Sequence, residues 1–265
     1  MKELSLFTGM GGGIYGSMIL GWETVAYVEQ DEYCQKVIAQ RIQDEWFDDG
    51  EIYGDIAGFN RTAAHKYAGQ IDILTGGFPC QPFSVGGKRK GTSDDRWLFD
   101  EIIKTIKVIQ PRRLFFENVS GILGDRAIIQ IYQSLAKIGY RCKPPLQLGS
   151  DDCGNIHKRQ RVWIFAESES ERCGGRSPQE RGDEWIISEP TEWQGSSVWG
   201  EVEGCAIREV RAVEQLLTDE AVPQPMLCGM DDELPDWRKR LKAVGNGQDP
   251  IVMATAYKLL SEVTA

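Results

Sequence analysis

The chain contains few of the residues that build metal sites or disulfide frameworks. Its 265 residues include two histidines, His65 and His157, so a histidine-based metal site is not expected. The seven cysteines are odd in number, are scattered along the chain and form no Cys-x-x-Cys pair. This pattern argues against a zinc site and against a disulfide framework, and we expect reduced thiols in a cytoplasm.

Long apolar runs are also lacking. No stretch of 18 apolar residues is present, and the opening residues "MKELSLF" lack the apolar segment of a signal peptide. We therefore expect no membrane span and no membrane partner. The net charge of −10 argues against a generic nucleic-acid binder. The charge is uneven, however, because residues 167–236 carry eighteen acidic and five basic residues, or −13, which leaves +3 on the rest.

The first 165 residues alternate short apolar runs with segments of helical periodicity. "ELSLF", "TVAYVE", "IDILTG", "RLFFENV" and "RVWIFA" are typical of strands, and the segments between them of helices. This alternation predicts an α/β fold with a mostly parallel sheet and helices on both faces. After Ala166 the chain becomes rich in Ser, Gly, Glu and Trp, which predicts an irregular region. A last helix is predicted in "DPIVMATAYKLLSEV", returning to the N-terminal part of the sheet.

Polar residues and glycines follow the predicted strands, where a parallel sheet binds its ligands. "TGMGGGIYG" follows the first strand, and its Gly11, Gly13 and Gly16 match the Gly-x-Gly-x-x-Gly pattern. Glu29 follows the second strand, at the spacing of an acid that binds a ribose. The glycine pattern alone fits a nicotinamide or flavin enzyme, an S-adenosylmethionine enzyme, or a tight strand–helix turn without a ligand.

A lone cysteine occurs in "GGFPCQPFS", residues 76–84, which follows the apolar run "IDILT" of a predicted strand. An isolated cysteine is most often a small buried apolar residue. Here two prolines stiffen the loop, and Gly76 and Gly77 are expected to let the chain turn sharply. Glu117 is expected to emerge from a neighbouring strand end. These features favour Cys80 as a nucleophile.

Basic residues form two further candidate segments. "HKRQRV" places Arg159 and Arg161 two residues apart at the start of a strand, so both should point to one face. The alternative is a solvated strand edge. "GGKRKGTSDD", residues 86–95, is typical of a cationic loop that closes over a site, or of an ordinary surface loop.

Together these segments resemble the DNA (cytosine-5)-methyltransferase family, over about residues 1–165 and 226–262. "LFTGMGG" is similar to its S-adenosylmethionine loop and "GGFPCQPFS" to its catalytic loop. "FFENVSGIL", "HKRQRV" and "GNGQDP" resemble its Glu-Asn-Val, Gln-x-Arg-x-Arg and Gly-Asn motifs. The ending is similar to that of short prokaryotic or phage members.

The resemblance implies a Rossmann-like S-adenosylmethionine-dependent methyltransferase fold with a small irregular target-recognition region. We predict a catalytic and cofactor-binding domain at 1–166, the target-recognition region at 167–236, and a C-terminal segment at 237–265 that returns to the catalytic domain. The implied partner is double-stranded DNA, acted on by a monomer in the cytoplasm of a prokaryotic or phage-infected cell. A cognate restriction enzyme is a possible further partner.

The resemblance also implies a chemistry. Cys80 would add to carbon 6 of a flipped-out cytosine, and Glu117 would hold ring nitrogen 3. Arg159 and Arg161 would orient the base. The cofactor S-adenosylmethionine would be bound by Phe7, Gly9, Gly11, Gly12, Glu29, Gln30, Asp55, Ile56, Pro79, Leu98 and Asn246. DNA contacts are implied for Gln81, Ser84, Lys88, Arg89, Lys90 and Arg96, and no metal is implied.

Three positions depart from the family pattern. His157 stands where glutamine is usual and Ile156 where proline is common, yet both arginines of the motif are present, so activity is expected to survive. Gln30 replaces an aromatic residue that often stacks on the adenine, which is expected to weaken cofactor binding. Two alternatives stay open: an RNA (tRNA) cytosine-5 methyltransferase, and a catalytically idle homologue that binds DNA or cofactor.

Overall fold

A computed structural model describes residues 1–79, 98–124, 127–155, 158–169, 243 and 245–262. Within these residues, the strands are β1 (Lys2–Leu6), β2 (Glu23–Val28), β3 (Glu51–Tyr53), β4 (Ile73–Gly77), β5 (Arg113–Val119), β6 (Tyr140–Cys142), β7 (Leu146–Leu148) and β8 (Arg161–Ser168). The helices are α1 (Gly12–Ile19), α2 (Glu32–Gln43), α3 (Ile56–Thr62), α4 (Phe99–Ile109), α5 (Ala127–Lys137) and α6 (Pro250–Glu262). Among these helices, none combines the length and apolarity that a membrane span requires.

The strands form one sheet in the order β3-β2-β1-β4-β5-β8-β6, and β7 also pairs with β8. The first five strands in this order, β3, β2, β1, β4 and β5, run parallel to one another. In contrast, β8 runs antiparallel to β5, β6 and β7. The mostly parallel α/β sheet predicted from the sequence is therefore confirmed. The sequence pattern missed β6 and β7, because three-residue strands are too short to show alternation.

The sheet is covered on both faces because its central strands alternate between two apolar cores. On β5, Leu114 and Phe116 face a core shared with α3, α4 and α5. Phe115 faces the opposite core, which includes residues of β8 and α6. Each fully buried side chain of this size contributes about 1.5–3 kcal/mol from the removal of apolar surface from water. The two cores therefore hold the middle strands, and with them the strand ends, in a rigid frame.

The last helix packs along the first. A methyl group added to Gly16 of α1 would lie 2.6 Å from the sulfur of Met253 in α6, so the two helices approach closely at this point. Asp249 caps the N-terminus of α6, since its Oδ1 accepts from the backbone N–H of Ile251 at 3.1 Å. The predicted division into 1–166, 167–236 and 237–265 stays a prediction, because residues 170–242 lie outside the described part.

Candidate active site at one edge of the sheet

The predicted site residues within the described part meet at one edge of the sheet. Phe7, Glu29, Asp55 and Pro79 follow the carboxyl ends of β1, β2, β3 and β4, which are parallel and so end at the same edge. Because β8 is antiparallel to β5, the start of β8 at Arg161 lies at this edge too, paired with Val119 at the end of β5. The topology therefore explains how a motif at the start of one strand reaches residues at the ends of others.

The turn after β1 contains residues with positive φ, a conformation that glycine adopts readily and most other residues adopt rarely. Gly9 has φ +60 and Gly11 has φ +90, and half-buried Phe7 also has a positive φ of 52. A methyl group on Gly9 would meet no atom within 4 Å, so the backbone there faces open space. Gly11 precedes α1 as its N-cap, and its Cβ position is already filled by the ring of Phe47. The loop thus offers an exposed backbone beside Gly9.

Acidic residues follow the next two strands. Glu29 is buried; its Oε2 accepts from the N–H of Gly9 at 2.7 Å and its Oε1 from the N–H of Asp31 at 2.8 Å. Each carboxylate oxygen has a second lone pair, so Glu29 retains capacity to accept from a ligand hydroxyl. Asp55 is exposed and uses Oδ1 to cap α3, accepting from the N–H of Gly58 at 2.8 Å.

The remaining predicted cofactor residues border the same edge. Ile56 is buried in the first turn of α3, whereas Gln30 is exposed. Pro79 and Leu98 are half-buried on the two sides of residues 80–97. Asn246 is exposed on the segment before α6.

Glu117 is a second buried acid at this edge. Its Oε1 lies 2.6 Å from Nε of Arg161, and in the sheet it pairs with Gly77 of β4. Burial raises the pKa of Glu117, whereas Arg161, Arg159 and a hydrogen bond from Gln248 act in the opposite direction. A carboxyl group with a raised pKa and a cationic partner is suited to sharing a proton with a ligand.

Arg159 has a different role in the structure from its neighbour. Its two terminal nitrogens donate to the carbonyl oxygens of Gly245 at 2.8 Å and Gly247 at 2.6 Å, on either side of Asn246. Arg159 therefore holds the segment before α6. Its predicted contact with a base stays a prediction, and so does that of Arg161.

The expectation that Gly76 and Gly77 form a sharp turn was wrong. Both are the last residues of β4 and are paired with β5. They must be small because neighbouring groups approach closely: a methyl group on Gly76 would lie 3.0 Å from the carbonyl oxygen of Leu6, and one on Gly77 would lie 2.9 Å from Oε2 of Glu117. Cys80 and the predicted DNA contacts Gln81, Ser84, Lys88, Arg89, Lys90 and Arg96 lie outside the described residues.

Two site residues were missed by sequence reasoning. Asn118 is buried, and its Nδ2 donates to the carbonyl oxygen of Phe78 at 3.2 Å, two residues before Cys80. It lies within the Glu-Asn-Val motif, so its position beside Glu117 could have signalled it. Gln248 reaches Glu117 from the other end of the chain. The sequence carried no signal for Gln248 beyond its position two residues after Asn246.

Two cysteines of the described part, Cys142 and Cys153, are poor candidates for a nucleophile. Burial raises the pKa of Cys142 and of Cys153 to about 12, so both thiols resist ionisation. Within the described residues, no group of three or more His, Cys, Asp or Glu side chains could hold a metal ion. Buried carboxylates and arginine side chains characterise the described part of this edge.

The mostly parallel sheet, with its ligand edge at the strand ends, defines a Rossmann-like α/β protein. DNMT2 of Spodoptera frugiperda, solved as a mutant, aligns with a TM-score of 0.58 at 15% identity over 98% of this chain and 99% of its own. Dnmt2 of S. pombe aligns with a TM-score of 0.50 at 20% identity over 63% of this chain and 51% of its own. At these identities the likeness concerns the fold alone.

Sequence comparison identifies the family. Residues 1–191 match the family described as C-5 cytosine-specific DNA methylase, and the chain belongs to that family. The Type II methyltransferase M.HgiBI of Herpetosiphon aurantiacus is 35% identical over 169 residues, which are 62% of this chain and 36% of the relative. The orphan methyltransferase M.Rho11sI of Bacillus phage rho11s is 32% identical over 195 residues, 71% of this chain and 35% of the relative. The chain thus spans about a third of the length of these relatives.

Proposed function

We propose that this protein transfers a methyl group from S-adenosylmethionine to carbon 5 of a flipped-out cytosine in double-stranded DNA, through a covalent adduct with Cys80. One observation carries the proposal. Glu117 is buried, contacts Arg161 at 2.6 Å, and is paired in the sheet with Gly77, three residues before Cys80. A proton-sharing acid and a thiol are thus expected at adjacent strand ends.

The residues that would hold S-adenosylmethionine fit such a ligand. The backbone at Gly9 faces open space, and Glu29 has spare acceptor capacity for the ribose hydroxyls. Asp55 would accept from the adenine amine, with Phe7 and Pro79 as apolar neighbours. When bound, the cofactor would supply a methyl group activated on a sulfonium. Gln30, Ile56, Leu98 and Asn246 are proposed to complete the pocket.

Cys80 would act first as the nucleophile and, at the end of the reaction, as the leaving group. The thiolate forms a bond to carbon 6, the electrons of the 5,6 double bond shift into the ring, and nitrogen 3 takes a proton from Glu117. This shift makes carbon 5 nucleophilic and able to accept the methyl group. Transfer of the carbon 5 proton to solvent water then leaves the electron pair that restores the 5,6 double bond, which breaks the sulfur–carbon bond and frees the thiolate, and nitrogen 3 returns its proton to Glu117.

Arg161 is proposed to keep Glu117 oriented and to contact the base oxygen, while Arg159 holds the neighbouring segment. Carbon 6 of a stacked base is not open to a thiol, so the target base must leave the duplex. The cationic residues of the 80–97 loop, Lys88, Arg89, Lys90 and Arg96, would contact the DNA backbone. The family description and the type II methyltransferases among the relatives favour DNA over RNA.

The test is methyl transfer from labelled S-adenosylmethionine to DNA and, in parallel, to tRNA. Cys80→Ala is expected to reduce transfer to DNA to background while still binding the cofactor. Cys142→Ala, which alters a half-buried thiol on β6, is the matched control and should stay active. Unchanged transfer by Cys80→Ala would overturn the mechanism. Transfer to tRNA but not DNA would replace the DNA substrate with RNA, and no transfer to either, with cofactor bound, would favour an idle homologue.

A further inference from the structure

The segment before α6 is fastened at two points to the edge that carries Glu117. Arg159 donates to the carbonyl oxygens of Gly245 and Gly247 at 2.8 and 2.6 Å. Oδ2 of Asp249 accepts from Oγ of Ser150 at 2.8 Å and from Nδ2 of Asn155 at 3.2 Å. Gln248 lies between these two attachments, so its backbone position is determined from both sides.

Gln248 lies against the glycine loop as well. A methyl group on Gly12 would collide with the carbonyl oxygen of Gln248, and one on Gly13 would collide with its side-chain oxygen. The absence of a Cβ at these two positions is therefore what admits Gln248. Both glycines lie in the first turn of α1, and Gly12 is one of the residues proposed to hold the cofactor.

The amide nitrogen of Gln248 reaches Glu117. A methyl group on Gly77 would lie 2.9 Å from Oε2 of Glu117 and 3.1 Å from Nε2 of Gln248, so both atoms lie over the same point of β4. Nε2 hydrogen-bonds the Glu117 carboxyl, whose other oxygen, Oε1, contacts Arg161. Arg161 and Gln248, which stand 87 positions apart in the sequence, thus both donate to one buried carboxyl group.

We propose that Gln248 is a positioning residue for the methyl-transfer reaction: it holds the second oxygen of Glu117 toward β4, opposite Arg161, and joins the cofactor loop to the acid that faces the base. This inference rests on the proposed function and deepens it. It assigns a role to a residue of the C-terminal segment that was not among the predicted site residues. An amide N–H is an obligate donor, so it favours the ionised carboxyl over the neutral one.

The direct test is a titration of Glu117 that needs no substrate. The protein is labelled with 13C at glutamate carboxyl groups, and the Glu117 signal is identified by its loss in Glu117→Gln. Gln248→Met keeps an unbranched side chain of similar length but removes the donor, so the pKa of Glu117 should rise above that of the wild type. Gln248→Glu should raise it further, because a second carboxylate lies beside the first. Gln70→Leu removes an amide that donates to the Lys66 carbonyl at 2.7 Å near the other edge, and should leave the titration unchanged.

The kinetic test uses the same variants. Gln248→Met should lower kcat by roughly tenfold, as expected for loss of one hydrogen bond to a charged group. The KM for S-adenosylmethionine should stay within about twofold. The pH at which activity declines on the alkaline side should move upward together with the Glu117 titration.

The outcomes separate the two proposals. A Glu117 titration that is the same in folded Gln248→Met as in the wild type would overturn the role of Gln248, whether or not the protein methylates DNA. If Gln248→Met shifts the Glu117 titration but the wild type shows no methyl transfer, the contact between Gln248 and Glu117 would be supported and the proposed function would be overturned. If Gln248→Met does not fold, Gln248→Asn, which keeps the amide but shortens its reach, must raise the pKa of Glu117, and an unchanged value would be contrary to the proposal.

Discussion

Two buried glutamates on the same sheet have opposite surroundings. Glu3, near the start of β1, accepts hydrogen bonds from the hydroxyls of Thr75 at 2.6 Å and Thr24 at 2.7 Å. Glu117, near the end of β5, contacts the cationic Arg161. Burial raises the pKa of both carboxyl groups. What differs is the kind of partner and the distance from the ligand edge.

The partners decide what each carboxyl group can do. A hydroxyl can donate or accept, so the threonines around Glu3 satisfy a neutral carboxyl as well as a charged one. Arginine and the glutamine amide can only donate, so Glu117 is held in a setting where its ionised form keeps its partners. Glu3, a buried acid with neutral partners inside the sheet, therefore has a structural role. Glu117, which has a cationic partner at the strand ends, is a candidate for proton transfer.

Removal of the Arg161 cation beside Glu117 should have the largest effect of the changes considered. Arg161→Met leaves Glu117 buried without its charged partner, and breaking such a pair lowers the free energy of unfolding by about 3 kcal/mol. Methyl transfer should fall at least roughly 100-fold, because the proton-sharing acid loses its orientation. Urea unfolding and labelled transfer measure the two effects, with Arg161→Lys as the charge-preserving control. A variant with wild-type stability and rate would show that the ion pair is not needed.

Crowding Glu117 should have the next largest effect. Gly77→Ala adds a methyl group 2.9 Å from Oε2 of Glu117, and overpacking of this kind lowers the free energy of unfolding by about 2 kcal/mol. Gly54→Ala is the matched control, since a methyl group there would meet no atom within 4 Å. Urea unfolding of both variants measures the difference. Equal stability of the two would mean that the close approach at Gly77 carries no strain.

Loss of the Asn118 amide should have a smaller effect on stability. Asn118→Ala leaves the carbonyl oxygen of Phe78 without the donor that now lies at 3.2 Å, which lowers the free energy of unfolding by about 1–2 kcal/mol. Because Phe78 leads directly into Pro79 and Cys80, methyl transfer should fall by more than the stability loss predicts. Transfer rates below the unfolding temperature test this. A rate equal to that of the wild type would make the contact purely structural.

The smallest effect is expected at Glu3, the buried acid with threonine partners. Because burial raises the pKa of Glu3 above its ordinary 4.5, the folded protein binds a proton more tightly than the unfolded chain does. Stability due to Glu3 is therefore full at low pH and is lost as the pH rises from about the ordinary value through the folded one. Glu3→Gln cannot titrate, so its curve of unfolding free energy against pH should be flatter. Parallel curves for variant and wild type would contradict a raised pKa, and methyl transfer should be unaffected.

Local patterns explain how much of this protein could be predicted. Strands and helices of five or more residues show their periodicity directly, as β5 and α4 do. The Glu-Asn-Val and Arg-x-Arg segments were identified because their residues stand together in the chain. The strands β6 and β7 were missed because three residues are too few to show alternation. The predicted turn at Gly76 and Gly77 was wrong because a glycine needed for close packing resembles one needed for bending.

The sequence by itself determined the alternating α/β architecture and indicated the acidic and arginine residues at the strand ends, since each depends on neighbours a few positions apart. Only the tertiary structure decided that β8 is antiparallel, that Arg159 holds the segment before α6, and that Gln248 reaches Glu117 across 131 positions. The physical reason is that hydrogen bonds and close approaches between distant segments depend on the packing of α6 on α1. That packing is not encoded in any single local pattern.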